Sequence, residues 1–159
     1  MREQPVYLDS SAIAKRYVGE KGSDLVDRVY SRSEIGELRL AFSIWNIGEV
    51  LGVFDRYQTR KLISGKEFLS ARSDLVSETL KLSRLGSLDV LPVTSGLISQ
   101  SWEFVTKHHI YEADALQISS GKMVGCGLFL GADGRLLDAA SAEGLKPVNV
   151  ESAQIEDLL

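Results

Sequence analysis

The chain has 159 residues, enough for one domain spanning residues 1–159 with a real core, and its 44% hydrophobic and 25% charged residues suit a globular protein in water. No apolar run reaches the roughly 18–20 residues of a membrane span, and the opening Met1-Arg2-Glu3-Gln4-Pro5 is unlike a signal peptide, so no membrane association is expected. A net charge of −4 argues against a surface that attracts nucleic acid everywhere, and the lone Cys126 excludes an internal disulfide and suits a reducing, cytoplasmic location.

Val6-Tyr7-Leu8 is a short β-prone run that ends at Asp9-Ser10-Ser11, a good helix start. Ala12, Ile13, Tyr17 and Val18 then recur at helical spacing until Gly19. A second helix is expected from Ser23 to near Gly36, followed by a strand over Leu38 to Phe42. Ser43 should cap a third helix carrying Ile44, Trp45, Ile47, Val50, Leu51 and Phe54, and Ser64 should open a long fourth helix that ends before Gly86. Leu88 to Val93 reads as a strand that Pro92 makes short or confines to an edge. Helices are expected from about Ser95 to Lys107 and from about Glu112 to Met123. Leu128-Phe129-Leu130 has the continuous apolar character of a strand covered on both faces. A helix over Asp133 to Glu143 and a strand over Pro147 to Val150 complete the chain. Short strands alternating with helices predict an α/β fold, a parallel β-sheet flanked by helices.

In such a sheet, ligands bind where strand ends lead into helices. Asp9 follows the first strand and Asp133 follows Leu128-Phe129-Leu130. Glu49 lies in the helix after the second strand, beside its apolar side, and Asp114 begins the mostly apolar helix Ala113-Asp114-Ala115-Leu116-Gln117-Ile118. Taken singly, Asp9, Asp114 and Asp133 suit helix capping or the positive end of a helix, and Glu49 suits a partly exposed helix position. Taken together they suit a second role, because converging carboxylates raise one another's pKa unless a cation lies among them. Hard oxygen donors without His or Cys match Mg²⁺ or Mn²⁺, ions that promote phosphodiester hydrolysis.

Tyr7-Leu8-Asp9-Ser10-Ser11-Ala12 with Lys15-Arg16-Tyr17, then Glu49-Val50-Leu51, Asp114-Ala115, and Asp133 with Arg135-Leu136-Leu137, Ala139-Ala140 and Gly144-Leu145, resemble in order the motifs of the PIN domain, and more closely those of VapC-type toxins of toxin–antitoxin pairs. The resemblance implies a three-layer α/β/α fold and a Mg²⁺- or Mn²⁺-dependent ribonuclease. It also implies Asp9, Glu49, Asp114 and Asp133 as metal ligands and catalytic residues, an RNA substrate, a homodimer and an inhibiting antitoxin. The chain departs from the family at Gly131, where Thr or Ser is common two residues before the last acid, so a hydroxyl is missing there. Other readings of the same acids are a DNA nuclease or phosphohydrolase, or an RNA- or protein-binding module with a degenerate site.

Several further residues have two uses. Ser10 and Ser11 are helix-capping types that could also hold a metal ligand. Lys15 and Arg16 suit either a solvated helix face or a phosphate contact. Asp138 suits an exposed helix position, and Trp45 and Trp102 are expected in the core. Val29, Tyr30, Phe68, Leu69 and Leu80 are expected to line an apolar groove for an antitoxin segment or a second copy of the chain.

Overall fold

The structure is a computed structural model that describes residues 4–154, 156 and 158. Five parallel strands, β1 (Val6–Leu8), β2 (Leu40–Ser43), β3 (Leu88–Leu91), β4 (Leu128–Gly131) and β5 (Pro147–Asn149), form one sheet in the order β3-β2-β1-β4-β5. Among the described residues seven helices connect and cover them: α1 (Ser10–Tyr17), α2 (Ser23–Glu34), α3 (Ile44–Thr59), α4 (Gly65–Leu85), α5 (Ser95–His108), α6 (Glu112–Val124) and α7 (Gly134–Ala142).

The two-residue period of a strand sorts the sheet's side chains into two cores. Val6, Leu8, Leu40, Phe42 and Leu130 pack with Ile13, Val26, Val29, Phe54 and Leu75 of the helices α1 to α4. Tyr7, Ala41 and Phe129 face the other way, toward Phe104, Ile118 and Leu136 of α5, α6 and α7. The Tyr7 and Phe129 rings stack across β1 and β4 with centroids 5.1 Å apart. Strands buried on both faces and helices in two groups make the three-layer α/β/α arrangement.

Local chemistry sets the boundaries. Ser43 and Asn46 form a capping box at the start of α3, and Ser64 and Glu67 form another at the start of α4. Gly86 ends α4 in the left-handed conformation, which a residue without Cβ adopts cheaply. Pro92 follows β3 directly, and β3 is the edge strand beyond β2, so the proline removes no donor from the interior of the sheet. The second strand starts at Leu40, two residues later than its apolar alternation suggests, because Leu40 is the first residue to pair with both Val6 and Leu88.

Some expectations about the surface are corrected. Trp45 and Trp102 are not core residues but 49% and 60% exposed. Val29 and Tyr30 lie within the first core and line no groove, whereas Leu69 and Leu80 of α4 are exposed and Phe68 is half-buried. Lys15 is neither solvated nor available to a phosphate: it is buried, with Nζ 2.8 Å from Glu151 and 3.4 Å from Glu20. Arg16 is likewise committed, to Glu78 and Asp27.

Candidate functional site

The chain runs β1, β2, β3 toward one edge of the sheet, then returns to place β4 on the other side of β1. Crevices open at such reversals of strand order, outside the carboxyl ends of the strands. Asp9 and Asp133 follow the two strands that flank this reversal. The backbone stitches the two loops together: Asp9 N–H donates to the Leu130 carbonyl at 2.9 Å, and Ala132 N–H donates to the Ser11 hydroxyl oxygen at 2.9 Å.

Asp9 is the N-cap of α1. Its Oδ1 accepts from Ala12 N–H at 2.8 Å and from the Ser11 hydroxyl at 2.6 Å. The carboxyl group is buried, and burial pushes its pKa up to about 7; the two hydrogen bonds oppose this, and the nearby charges of Asp114 and Asp133 add to it. Its other oxygen rests over Gly131, in space that a side chain on that residue would fill. Asp133 is the exposed N-cap of α7 and accepts from Arg135 and Leu136 N–H. Both aspartates therefore do the capping that their type suggests.

Asp114 does not cap. It stands in the first turn of α6, whose N-cap, Tyr111, makes no side-chain cap bond. Partial burial, then the charges of Asp133 and Glu49, push its pKa up to about 6. Glu49 projects from α3, and burial raises its pKa against the pull of the Ser10 hydroxyl, Trp45 and Arg56. The acids thus form a chain of repulsion in which Asp114 feels both Asp133 and Glu49, and Asp9 feels both Asp114 and Asp133.

A buried amide network holds Glu49. Asn46 Oδ1 accepts from the Tyr7 hydroxyl at 3.0 Å and from Ser43 N–H at 2.8 Å. Its Nδ2 donates to Ser10 Oγ and to Gln117 Oε1, both at 2.8 Å. The Ser10 hydroxyl then donates to Glu49 Oε1 at 2.7 Å, and Gln117 Nε2 approaches the same oxygen at 3.3 Å. These bonds join α1, α3 and α6 over the carboxyl end of the sheet and aim two donors at Oε1. Asn46 and Gln117 were not singled out from the sequence. The available signal was an amide at the third position after the Ser43 cap, and one polar residue within Ala115-Leu116-Gln117-Ile118.

The fit to a divalent ion is partial. The donor set is all carboxylate, and its mutual repulsion is what a cation would relieve. Yet among the described residues no three His, Cys, Asp or Glu side chains are gathered tightly enough to hold a metal ion. The reason is visible in the bonds above: Asp9 and Asp133 turn toward their own helices, and Glu49 is tied to Ser10 and Gln117.

Carboxylates at the switch point of a doubly covered parallel sheet make a class of site chemically suited to a cation and a phosphoryl substrate. The sequence places the chain more narrowly. The PIN domain family matches residues 6–142, and the chain belongs to that family. PIN domains are nucleases, and they generally use divalent metal ions. The fold is similar to that of VapC20 of Mycobacterium tuberculosis, a toxin that cleaves the sarcin–ricin loop, with a TM-score of 0.65 and 19% identity over 91% of this chain and 98% of that one. It is also similar to FitAcB of Neisseria gonorrhoeae, with a TM-score of 0.64 and 18% identity over 93% and 99% of the two chains. No curated protein matches the chain in sequence.

Proposed function

We propose that residues 1–159 form one nuclease domain, a Mg²⁺- or Mn²⁺-dependent endoribonuclease that serves as the toxin of a toxin–antitoxin pair. The observation that carries this is the set of acids at the β1/β4 reversal, with Asp9 buried and raised to about 7 beside the charges of Asp114 and Asp133. Membership of a nuclease family and likeness of fold to a toxin that cleaves the sarcin–ricin loop support it.

In this reading Asp9, Glu49, Asp114 and Asp133 are the metal ligands and catalytic carboxylates. A bound divalent ion would supply activation of water and stabilisation of charge on a phosphodiester oxygen. The protein supplies the rest. Ser11 orients Asp9, and Ser10 with Gln117 holds Oε1 of Glu49. The buried Asn46 fixes both of those partners. The absence of a helix long and apolar enough to cross a membrane among the described residues, and the single cysteine, support work in the cytoplasm. Exposed Trp102, Tyr111 and Met123 on and beside α5 and α6 offer apolar surface for a homodimer. An antitoxin segment has the exposed Leu69 and Leu80 of α4 available to it.

The test is cleavage of RNA, single-stranded DNA and a small phosphodiester by the purified chain, with Mn²⁺, Mg²⁺ or EDTA, alongside Asp9→Asn and Asp114→Asn. Metal-dependent cleavage of RNA alone, lost in both variants, is the expected result. Preference for DNA or the small ester would move the assignment to a related hydrolase. Absence of both cleavage and heat on titration with Mn²⁺ would leave a binding module.

A further inference from the structure

The outward face of α3 carries Trp45, Gly48, Glu49, Gly52 and Arg56 at the spacing of successive helical turns. Its composition is costly for a helix. Each glycine within a helix interior loses about 1 kcal/mol relative to alanine, and here there are two on one face. Neither is required by crowding: a Cβ on Gly48 would meet nothing within 4 Å, and one on Gly52 would meet only the Arg56 guanidinium at 3.6 Å. The helix forgoes stability and keeps its backbone bare on both sides of Glu49.

What flanks the bare segment is chemically specific. Ile44, Trp45, Gly48, Glu49 and Val93 surround an open pocket of about 500 Å³, so this mostly apolar hollow adjoins Glu49 of the acid cluster. Trp45, part of its lining, is 49% exposed, although a residue of its type is ordinarily buried. On the other side of Glu49, Arg56 folds back along the helix over Gly52, is exposed, and has no ion pair among the described residues. Arg16 and Lys15, the cations nearest the first acid in sequence, are by contrast already paired.

We propose that this face is the substrate track of the nuclease: Trp45 stacks an unpaired nucleobase in the pocket beside Glu49, and Arg56 pairs with a backbone phosphate on the far side of it. The assignment rests on the endoribonuclease reading and adds two substrate-positioning residues to it. An aromatic face accepts any base, and an unpaired guanidinium answers the phosphate charge that an acidic protein otherwise repels. The continuity of the pocket with Glu49 is what favours RNA here over a second copy of the chain.

The experiment separates binding from cleavage. In a Trp102→Phe background, Trp45 is the only tryptophan, and its emission is followed while a short unstructured oligoribonucleotide is added in EDTA. The expected result is saturable quenching, with affinity about 10-fold weaker in Trp45→Leu, largely restored in Trp45→Phe, and a shallower salt dependence in Arg56→Gln. Gly48→Leu removes no contact and favours the helix, yet fills the pocket; it should raise KM about 10-fold while leaving kcat within about twofold. Oligonucleotide binding with unchanged Trp45 emission, or wild-type KM in both Trp45→Leu and Gly48→Leu, would overturn the assignment while leaving the ribonuclease intact. A shift of Trp45→Leu to a smaller species on a sizing column would overturn it in favour of a second copy. Failure of the wild-type chain to bind the oligonucleotide, with no RNA cleavage in Mn²⁺, would overturn both readings.

Discussion

The carboxyl carbon of Asp9 lies 2.8 Å from where a Cβ on Gly131 would stand, so the first acid occupies the room that the terminal residue of β4 leaves empty. No side chain can be added at 131 while Asp9 keeps its capping geometry, and Leu137 at 3.2 Å closes the other side. Gly131→Ala should therefore cost about 1–3 kcal/mol, the range for overpacking a close-fitted site. In an Asp9→Ala background the added methyl finds space, and its cost should fall by about 1 kcal/mol or more. Urea unfolding of the four proteins of this double-mutant cycle measures the coupling. Additive costs would mean that Asp9 readily swings away from Gly131.

The raised carboxyls give stability a definite slope with pH. Asp9 moves from an ordinary 3.8 to about 7 and Asp114 from 3.8 to about 6. Between those limits the folded chain binds more protons than the unfolded one, so this contribution is complete below about pH 4 and is lost as pH rises toward 7. Without metal, Asp9→Asn should be flatter than the wild type across that window and at least as stable at pH 7.5, since Asn also caps helices. Melting temperature against pH in EDTA, compared between the two proteins, checks it. A wild-type curve that parallels the variant's would contradict the burial that raises Asp9.

The amide network should divide stability from turnover. Asn46→Ala strands the Tyr7 hydroxyl, Ser43 N–H and parts of Ser10 and Gln117, all buried, and is expected to cost about 2–4 kcal/mol. Gln117→Leu keeps the volume of an apolar helix but removes the Gln117 donor from Glu49 Oε1. It should lower kcat on RNA by about 10-fold or more with a smaller loss of stability. A denaturation curve and a steady-state assay on the two variants are sufficient. Equal losses in both measurements for both variants would reduce the network to a structural role.

The exposed leucines of α4 are where the proposed antitoxin is expected to bind. Leu69→Asp and Leu80→Asp leave the core intact, because neither side chain is buried. They should abolish binding of the proposed antitoxin in a co-purification assay while RNA cleavage persists. Retained co-purification would move the partner to another face.

Most of the fold was readable because it is written locally. The caps at Ser43 and Ser64, the glycines at 36, 86 and 144, and the three apolar residues of β1 are each decided by neighbours within a turn or two. The acids were readable for the same reason, lying where strands give way to helices. Asn46 and Gln117 were not, since their importance exists only once residues 71 apart are brought to 2.8 Å. Trp45 and Trp102 misled because hydrophobic type predicts burial only on average, and a helix gives no local sign of which outward positions its neighbours leave uncovered. Lys15 misled in the opposite sense: its counterions Glu20 and Glu151 include one that is remote in the chain.

The strand order also decides when in the life of a chain the site can exist. β1 is central, and its neighbour β4 is the fourth of five strands to be made. A nascent polypeptide emerges amino end first and folds in the order it emerges. Asp9 and Glu49 are therefore exposed to the cell early, but the bond from Ser11 to Ala132, 121 residues on, must wait until most of the chain has left the ribosome. A chain still being made therefore carries Asp9 and Glu49 without the β1/β4 reversal that gathers the acids, which closes only once β4 has emerged.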